Sequence, residues 1–218
     1  NSGLKVKTVK KHVNLLYSIL ENATKQRIIH DNPVKLVEKL RPEESLKNFL
    51  NTEEASLLCQ KVTDSQLEIP VKLALLLGLR RGEVLGLKWD HIDFASATVR
   101  IVNTRTEAGH DIIEKRPKTD SSIRVLRICD SLLSALKKHK KFQESVFERM
   151  GTRTNFVCTM DNGKPFDPNY LSECFKNFEI KEGLKPVRFH DLRHSFASIA
   201  NDAGTSMRDI SSAMGHSN

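Results

Sequence analysis

The stretch "LLLGLRRGEVLGLKWDHID", residues 75–93, decides how the chain folds, because the apolar pattern of a helix ends within it and the pattern of a strand follows it. It continues an apolar run over residues 71–79 that is typical of a buried helix. Gly78 falls at the end of that run, where a glycine favours a helix terminus. Apolar and polar residues then alternate over 97–101, as in a half-buried strand. The stretch therefore predicts a helical junction that leads into a β-region.

Upstream, a regular apolar stripe dominates the chain. Between residues 6 and 23 the apolar positions are spaced alternately three and four apart, which predicts one amphipathic helix. Pro33 ends this pattern, because a proline disfavours helical geometry at the residue before it. The polar stretch 41–49 predicts a linker, and Asn51 with Glu54 resembles a capping box that starts a new helix.

Downstream, helix and strand signals follow in turn. The predicted elements are two strands within 111–128 around a polar turn at 119–122, a helix capped by Asp130, a short strand at 155–159, a helix opened by Asp167 and Pro168, and two last helices near 188–204 and 206–214. The expected fold is mainly α with one small antiparallel β-sheet, an α+β class. We expect two parts: residues 1–46, a partial helical domain with a linker, and residues 47–218, a larger domain.

Composition narrows the possible functions. The chain has 218 residues and a formal net charge of +8, and such a basic surface makes nucleic acid the first partner to consider. The longest apolar stretch, 73–79, is too short to span a bilayer, and no signal-peptide pattern opens the chain. The four cysteines form no CxxC pair, which argues against a disulfide framework and fits a reducing cytosol. We therefore expect a cytoplasmic protein without a membrane partner.

Four short strings contain residues that could carry chemistry. They are "GLRRGE" with Arg80, "RPKTDSS" with Lys118 at the tip of the predicted hairpin, "HDLRH" with His190 and Arg193 on one helix face, and "MGHS" with His216. Each has an ordinary interpretation by itself: a helix-end ion pair, a hairpin-tip lysine, or a mixed-charge surface helix.

A metal pair is another interpretation of the third string. His190 and His194 are four residues apart, the spacing found in zinc-binding helices. The zinc-protease form of that motif has glutamate after the first histidine, where this chain has Asp191.

In this order, the four strings resemble the tyrosine recombinases, the phage integrase family. "LGLRRGEVLGLKWDHID" resembles the first arginine box of the family, "PKTDSSIRV" its lysine hairpin, "HDLRHSFAS" its most specific string, and "MGHS" the box that follows. The resemblance covers residues 50–218, and residues 4–40 resemble the back half of the helical core-binding (SAM-like) domain. It implies a tyrosine recombinase catalytic-domain fold in residues 47–218.

The resemblance implies site-specific DNA recombination, the integrase activity. In the family a tyrosine attacks the scissile phosphate, forms a 3′-phosphotyrosyl bond and releases a 5′-hydroxyl, and a hydroxyl of the partner strand reverses the step. By resemblance, Arg80 and Arg193 clamp the phosphate, His216 donates a hydrogen bond to it, Lys118 is the general acid, and His190 manages the tyrosine proton. Neither a metal nor a cofactor is implied, because guanidinium groups supply the positive charge.

Glu83 and Asp191 are expected to support the two arginine clamps. The implied partner is double-stranded DNA at a recombination site, bound by a homo-tetramer when the protein is full length.

The tyrosine itself is expected to be missing. The chain has two tyrosines, Tyr17 and Tyr170, whereas the family nucleophile lies two to three helical turns beyond the "GH" box. Ser217 and Asn218 are the residues after His216. We therefore expect a fragment, cut at both ends and monomeric alone, that binds DNA without cleaving it.

Three alternatives stay open. The first is a catalytically inactive DNA-binding regulator of the same fold, and the second is a type IB topoisomerase, which uses similar residues. The third is a metallohydrolase that would use His190, His194 and His216.

Overall fold

The computed structural model describes residues 3–4, 6–37, 48–109, 111–115, 123–160 and 162–215, and forms two compact units, Asn1–Lys47 and Asn48–Asn218. The helices are α1 (Val6–Lys25), α2 (Thr52–Lys61), α3 (Glu68–Leu77), α4 (Arg81–Gly86), α5 (Asp130–Met150), α6 (Pro168–Glu182), α7 (Asp191–Asp202) and α8 (Met207–Met214), with 3₁₀ turns at Pro33–Leu36 and Trp89–His91. The strands are β1 (Ile92–Asp93), β2 (Thr98–Ile101), β3 (Thr104–Ala108), β4 (Asp111–Lys115) and β5 (Arg124–Arg127). In these ranges no helix combines the length and apolar character that crossing a membrane requires.

The described part of the first unit contains α1 and the 3₁₀ turn, joined by a buried asparagine. The side-chain amide of Asn32 donates to the Tyr17 carbonyl and to the Glu21 carboxylate, each at 3.1 Å. Its oxygen accepts the Val34 N–H at 3.1 Å. Asn32 thus holds the segment that follows α1 against that helix. The predicted helix over residues 6–23 is confirmed by α1.

Helix α3 lies at the centre of the second unit, and most of its side chains are buried. It begins at Glu68, three residues before the predicted start, because Pro70 is tolerated in a first helical turn. Gly78 ends it in the left-handed conformation with φ +64°. This helix end sends the chain directly into the Arg80 region.

In the residues that the structure describes, the strands form two antiparallel sheets where one was predicted. One has the order β1-β2-β5 and the other pairs β3 with β4. The two strands predicted within 111–128 are present as β4 and β5, but they belong to different sheets. The fold class is confirmed, and the number of sheets was wrong because β3, "TRTEA", has no apolar alternation to mark it.

Two smaller predictions were also wrong. Asp130 is the first residue of α5 and Cys129 holds the cap position, so the Asp130 carboxylate lies in the first turn beside the positive helix end. The predicted strand at 155–159 makes isolated bridges, Lys88 to Phe156 and Thr159 to Pro165. The first stays isolated because Lys88 lies between the end of α4 and the 3₁₀ turn that begins at Trp89.

Candidate functional site

Arg80 stands at the start of α4, directly after the turn at Gly78. Its extended backbone (φ −69°, ψ 149°) lets its N–H donate to Glu83 Oε2 at 2.8 Å, and its Nη1 donates to Glu83 Oε1 at 3.0 Å. Its neighbour Arg81 instead donates to the Pro168 carbonyl at 3.0 Å and to Ser172 Oγ at 2.8 Å. The two adjacent arginines therefore face different parts of the unit, and Arg80 is the one beside Glu83.

Glu83 is a buried carboxylate that organises three guanidinium groups. Its side chain is 5% exposed and accepts both terminal nitrogens of Arg124, at 3.0 and 2.9 Å. Nη1 of Arg193 lies 4.0 Å from the same carboxylate. Burial alone would raise the pKa of Glu83, but the hydrogen bonds and charge of Arg124, aided by Arg80, hold that pKa below its ordinary value. Three positive charges thus surround one negative charge, so the cluster attracts anions.

Arg193 lies deepest in this arginine cluster, which consists of Arg80, Arg124 and Arg193 around Glu83. Its side chain is 3% exposed, and its Nη1 donates to the Gly78 carbonyl at 2.6 Å. Burial, and then the charge of Arg80, lowers the pKa of Arg193 to about 10. Its guanidinium therefore stays protonated at neutral pH.

The end of α8 closes the cluster with three consecutive carbonyls. Ala213 accepts Nε of Arg124 at 2.6 Å, Met214 accepts Nη2 of Arg193 at 2.6 Å, and Gly215 accepts Nη2 of Arg80 at 3.2 Å. The last carbonyls of a helix have no partner within the helix and carry partial negative charge. The three arginines supply that partner and fix α8 against them.

His190 lies at the start of α7 and is exposed, with its ring edge-on to His194 at a centroid distance of 5.4 Å. Although the residue is exposed, the protein around the imidazole removes part of its water and lowers the pKa of His190, and the neighbouring His194 lowers that pKa further. Its imidazole is therefore mainly neutral at pH 7 and can accept a proton. The adjacent Asp191 is buried and accepts Nε and Nη2 of Arg188, at 2.7 and 2.8 Å.

Two of the predicted residues, Lys118 and His216, lie outside the described residues. The structure brings Arg80 and Arg193 together around Glu83, and places His190 three residues before Arg193 at the start of the same helix. Over the part of the chain that is described, no three His, Cys, Asp or Glu side chains come together as a metal site would require. The third histidine of the metal alternative is His216, which is not described.

Arg124 is the cluster member that the sequence interpretation missed. In β5, Arg124 and Leu126 are partly buried whereas Val125 and Arg127 are exposed. An arginine at an inward position of an alternating strand is unusual, because a buried charge needs a partner. The inward position of Arg124 in a predicted strand was therefore the sequence signal that could have identified it as a member of the cluster.

Gly78 packs closely against the ring of Phe196. A Cβ there would lie 2.5 Å from Cδ1 of Phe196, and the residue has φ +64°. Gly78→Ala is expected to lower the free energy of unfolding by about 2–4 kcal/mol, from left-handed strain and overpacking together. Urea denaturation measures it. Gly183→Ala is the matched control, since Gly183 has the same φ with open space around it, and it should cost about 1–2 kcal/mol. Equal losses would contradict the close approach to Phe196.

The comparisons with known proteins agree on one family. The sequence profile of the phage integrase family matches residues 40–218. The chain is 29% identical to a tyrosine recombinase XerC-like protein of Caldanaerobacter subterraneus subsp. tengcongensis, over 99% of the chain and 61% of that protein. It is also 29% identical to the ICEBs1 integrase of Bacillus subtilis, over 99% of the chain and 60% of that integrase.

Solved structures share the fold. The Tn1549 transposon integrase in complex with a circular intermediate DNA superposes with a TM-score of 0.85 at 23% identity, over 99% of this chain and 73% of that one. A lambda integrase dimer bound to a core site gives a TM-score of 0.67 at 17% identity, over 98% and 57%. This chain spans about three fifths of the length of the two curated relatives named above. The profile match covers well over half of the 218 residues, and the chain belongs to the phage integrase family.

Proposed function

We propose that this chain carries the phosphate-binding part of a tyrosine recombinase site and acts in site-specific DNA recombination. The observation that carries the proposal is the arginine cluster, in which Arg80 and Arg193 meet at Glu83. The relatives named as recombinases and integrases support it, as do the integrases solved in complex with DNA. The net charge of +8 fits a double-stranded DNA partner.

The cluster suits a phosphodiester transition state. Extra negative charge builds on the phosphoryl oxygens as the bond to the tyrosine forms, and fixed cations lower the energy of that state more than of the ground state. Guanidinium groups remain charged and offer a planar fork of donors. Arg80, with 38% of its side chain exposed, is the cluster member most accessible to DNA. The buried guanidinium of Arg193 adds a second positive charge beside the same carboxylate.

Proton transfers complete the reaction that we propose. His190, mainly neutral at pH 7, accepts the proton of the attacking tyrosine hydroxyl. Lys118 donates a proton to the leaving 5′-oxygen, and His216 donates a hydrogen bond to a phosphoryl oxygen. The roles of these two residues follow from the family motifs alone.

The wider assembly is part of the same proposal. Residues 1–46 would belong to a core-binding domain and residues 47–218 to the catalytic domain. The working form would be a homo-tetramer on paired DNA sites, in the cytoplasm, where those sites are.

A covalent trapping experiment tests the proposed function. The protein as its gene encodes it is incubated with a nicked duplex carrying its recombination site, in EDTA. A protein–DNA adduct that survives denaturation and disappears with protease is expected, together with a free 5′-hydroxyl, because the arginines replace a metal ion.

The control is the same duplex without the nick, which allows religation and should trap much less adduct. Binding of the site without any adduct would favour a DNA-binding regulator of the same fold. Adduct formation that requires a divalent metal would contradict the proposed chemistry.

A further inference from the structure

We propose that Arg124 is a positioning residue of the cleavage site, one that fixes Glu83, the end of α8 and strand β5 in a single arrangement. The inference rests on the proposed function, because it concerns how that site is held in shape. Arg124 acts through its neighbours rather than on DNA.

The contacts of Arg124 carry the inference. Its two terminal nitrogens bind the two carboxylate oxygens of Glu83, at 3.0 and 2.9 Å, and its Nε binds the Ala213 carbonyl at 2.6 Å. A guanidinium fork bound to both carboxylate oxygens leaves little rotational freedom. The side chain is 8% exposed, which makes it a structural bridge inside the protein.

These contacts join segments that are distant in the sequence. Arg124 is the first residue of β5 and lies six residues after Lys118, while Ala213 lies three residues before His216. Glu83 in turn holds Arg80. One side chain is therefore bonded to the carboxylate that positions a clamp and to the helix end that leads to His216.

Close approach at the helix end supports this role. A Cβ on Gly215 would lie 2.9 Å from Nη1 of Arg124, so the glycine of the "MGHS" string gives the guanidinium room. The left-handed φ of +64° at Gly215 also ends α8 where its carbonyls meet the arginines. Gly215 thus allows α8 to end at this point and also leaves space for the Arg124 guanidinium.

Arg124 also controls the charge of Glu83. In the described part of the chain, the charged groups that face this carboxylate are Arg80 at the start of α4, Arg124 of β5 and Arg193 of α7. Burial favours the protonated form, and Arg124 contributes more than Arg80 to keeping the pKa of Glu83 low. Without Arg124 the carboxyl takes up a proton at higher pH, and a neutral Glu83 no longer anchors Arg80 through charge.

The test compares Arg124→Gln and Arg124→Lys with Arg127→Gln in the trapping assay. Arg127 is the matched control, because it lies on the same strand and is exposed. At pH 7 we expect cleavage to fall about 10- to 100-fold in Arg124→Gln, less in Arg124→Lys, and not measurably in Arg127→Gln, since misplacing a clamp by about 1 Å costs that much. Affinity for the DNA site should change less than about threefold in all three, because many phosphate contacts share the binding energy.

The pH dependence of cleavage distinguishes a positioning role of Arg124 from a general loss of folding in the variant. Glu83 ionises at higher pH in Arg124→Gln than in the wild type, so the variant should lose more cleavage relative to the wild type in acidic than in alkaline solution. A loss that is the same at every pH would overturn the proposal, as would cleavage equal to that of Arg127→Gln.

A second measurement is independent of catalysis. Carboxyl ¹³C NMR of Glu83 in the 218-residue chain should show titration at higher pH in Arg124→Gln than in the wild type, with Arg124→Lys between them. An unchanged Glu83 titration would overturn the role of Arg124 even if no variant cleaves DNA. A wild-type protein that forms no adduct, with the expected Glu83 shift, would refute the proposed function and leave the coupling of Arg124 to Glu83 standing.

Discussion

Replacement of Glu83 by glutamine is expected to lower the free energy of unfolding by about 3–5 kcal/mol, because it removes the buried partner of several charges. The Glu83 and Arg124 side chains are 5% and 8% exposed, so water cannot replace the lost carboxylate. Arg193, whose Nη1 lies 4.0 Å from the carboxylate, would also lose that negative charge. Urea denaturation at pH 7 measures the loss.

Glu114→Gln is the control for this experiment. Glu114 also pairs with a cation, Lys88 at 2.9 Å, but its side chain is 41% exposed. Its loss should cost less than about 1 kcal/mol, as for most surface ion pairs. Similar losses in the two variants would contradict the organising role of Glu83.

The effect of Glu83→Gln should depend on pH in a defined direction. The folded protein holds the pKa of Glu83 below the ordinary 4.5, so the carboxylate stabilises the fold above that pH and loses this contribution as the pH falls through the folded value. The difference between wild type and variant should therefore be full at pH 7 and shrink in acid, where the wild-type carboxyl becomes protonated. A difference that stays constant down to pH 3 would show that shape rather than charge is responsible.

The sequence predicted the contact between Arg80 and Glu83 but not the contribution of Arg124, for a physical reason. Arg80 and Arg193 occur in strings whose spacing is local, such as the three residues from Arg80 to Glu83 that α4 brings together. The partner of Glu83 from β5 lies 41 residues away, and nothing in the local spacing fixes that distance. Contacts of this kind depend on how strands pair.

Strand pairing was the weakest part of the prediction for the same reason. Alternation marks a strand only when one face is apolar, and β3 lacks that pattern although it pairs with β4 over five residue pairs. Without β3, the strands now numbered β4 and β5 look like one hairpin. The site depends on their separation, because β5 joins β2 and places Arg124 against Glu83.

Arg80→Ala is expected to reduce strand cleavage by about 100- to 1,000-fold, the usual cost of removing one donor that stabilises transition-state charge. Affinity for the DNA site should fall less than about tenfold, since one phosphate contact among several is lost. The fold should survive, because 38% of the Arg80 side chain is exposed and Arg124 still binds Glu83.

Arg193→Ala should also lose much more cleavage than affinity for the DNA site, but with an additional loss of stability, because that side chain is buried and binds Gly78. The measurements are single-turnover cleavage of the nicked duplex and fluorescence anisotropy of the uncleaved site.

Arg81→Ala is the sharpest control that the chain offers for the Arg80 experiment. Arg81 has the same charge and is adjacent in the sequence, yet it binds Pro168 and Ser172 on α6. Its removal changes the net charge by the same amount, so any general electrostatic effect on DNA binding appears in both variants. Cleavage by Arg81→Ala should remain within about threefold of the wild type, because the cluster at Glu83 is intact and the hydrogen bonds that are lost connect to α6. If the two variants lose cleavage equally, or if Arg80→Ala loses affinity and cleavage by the same factor, then Arg80 contributes general attraction for DNA and is no transition-state clamp.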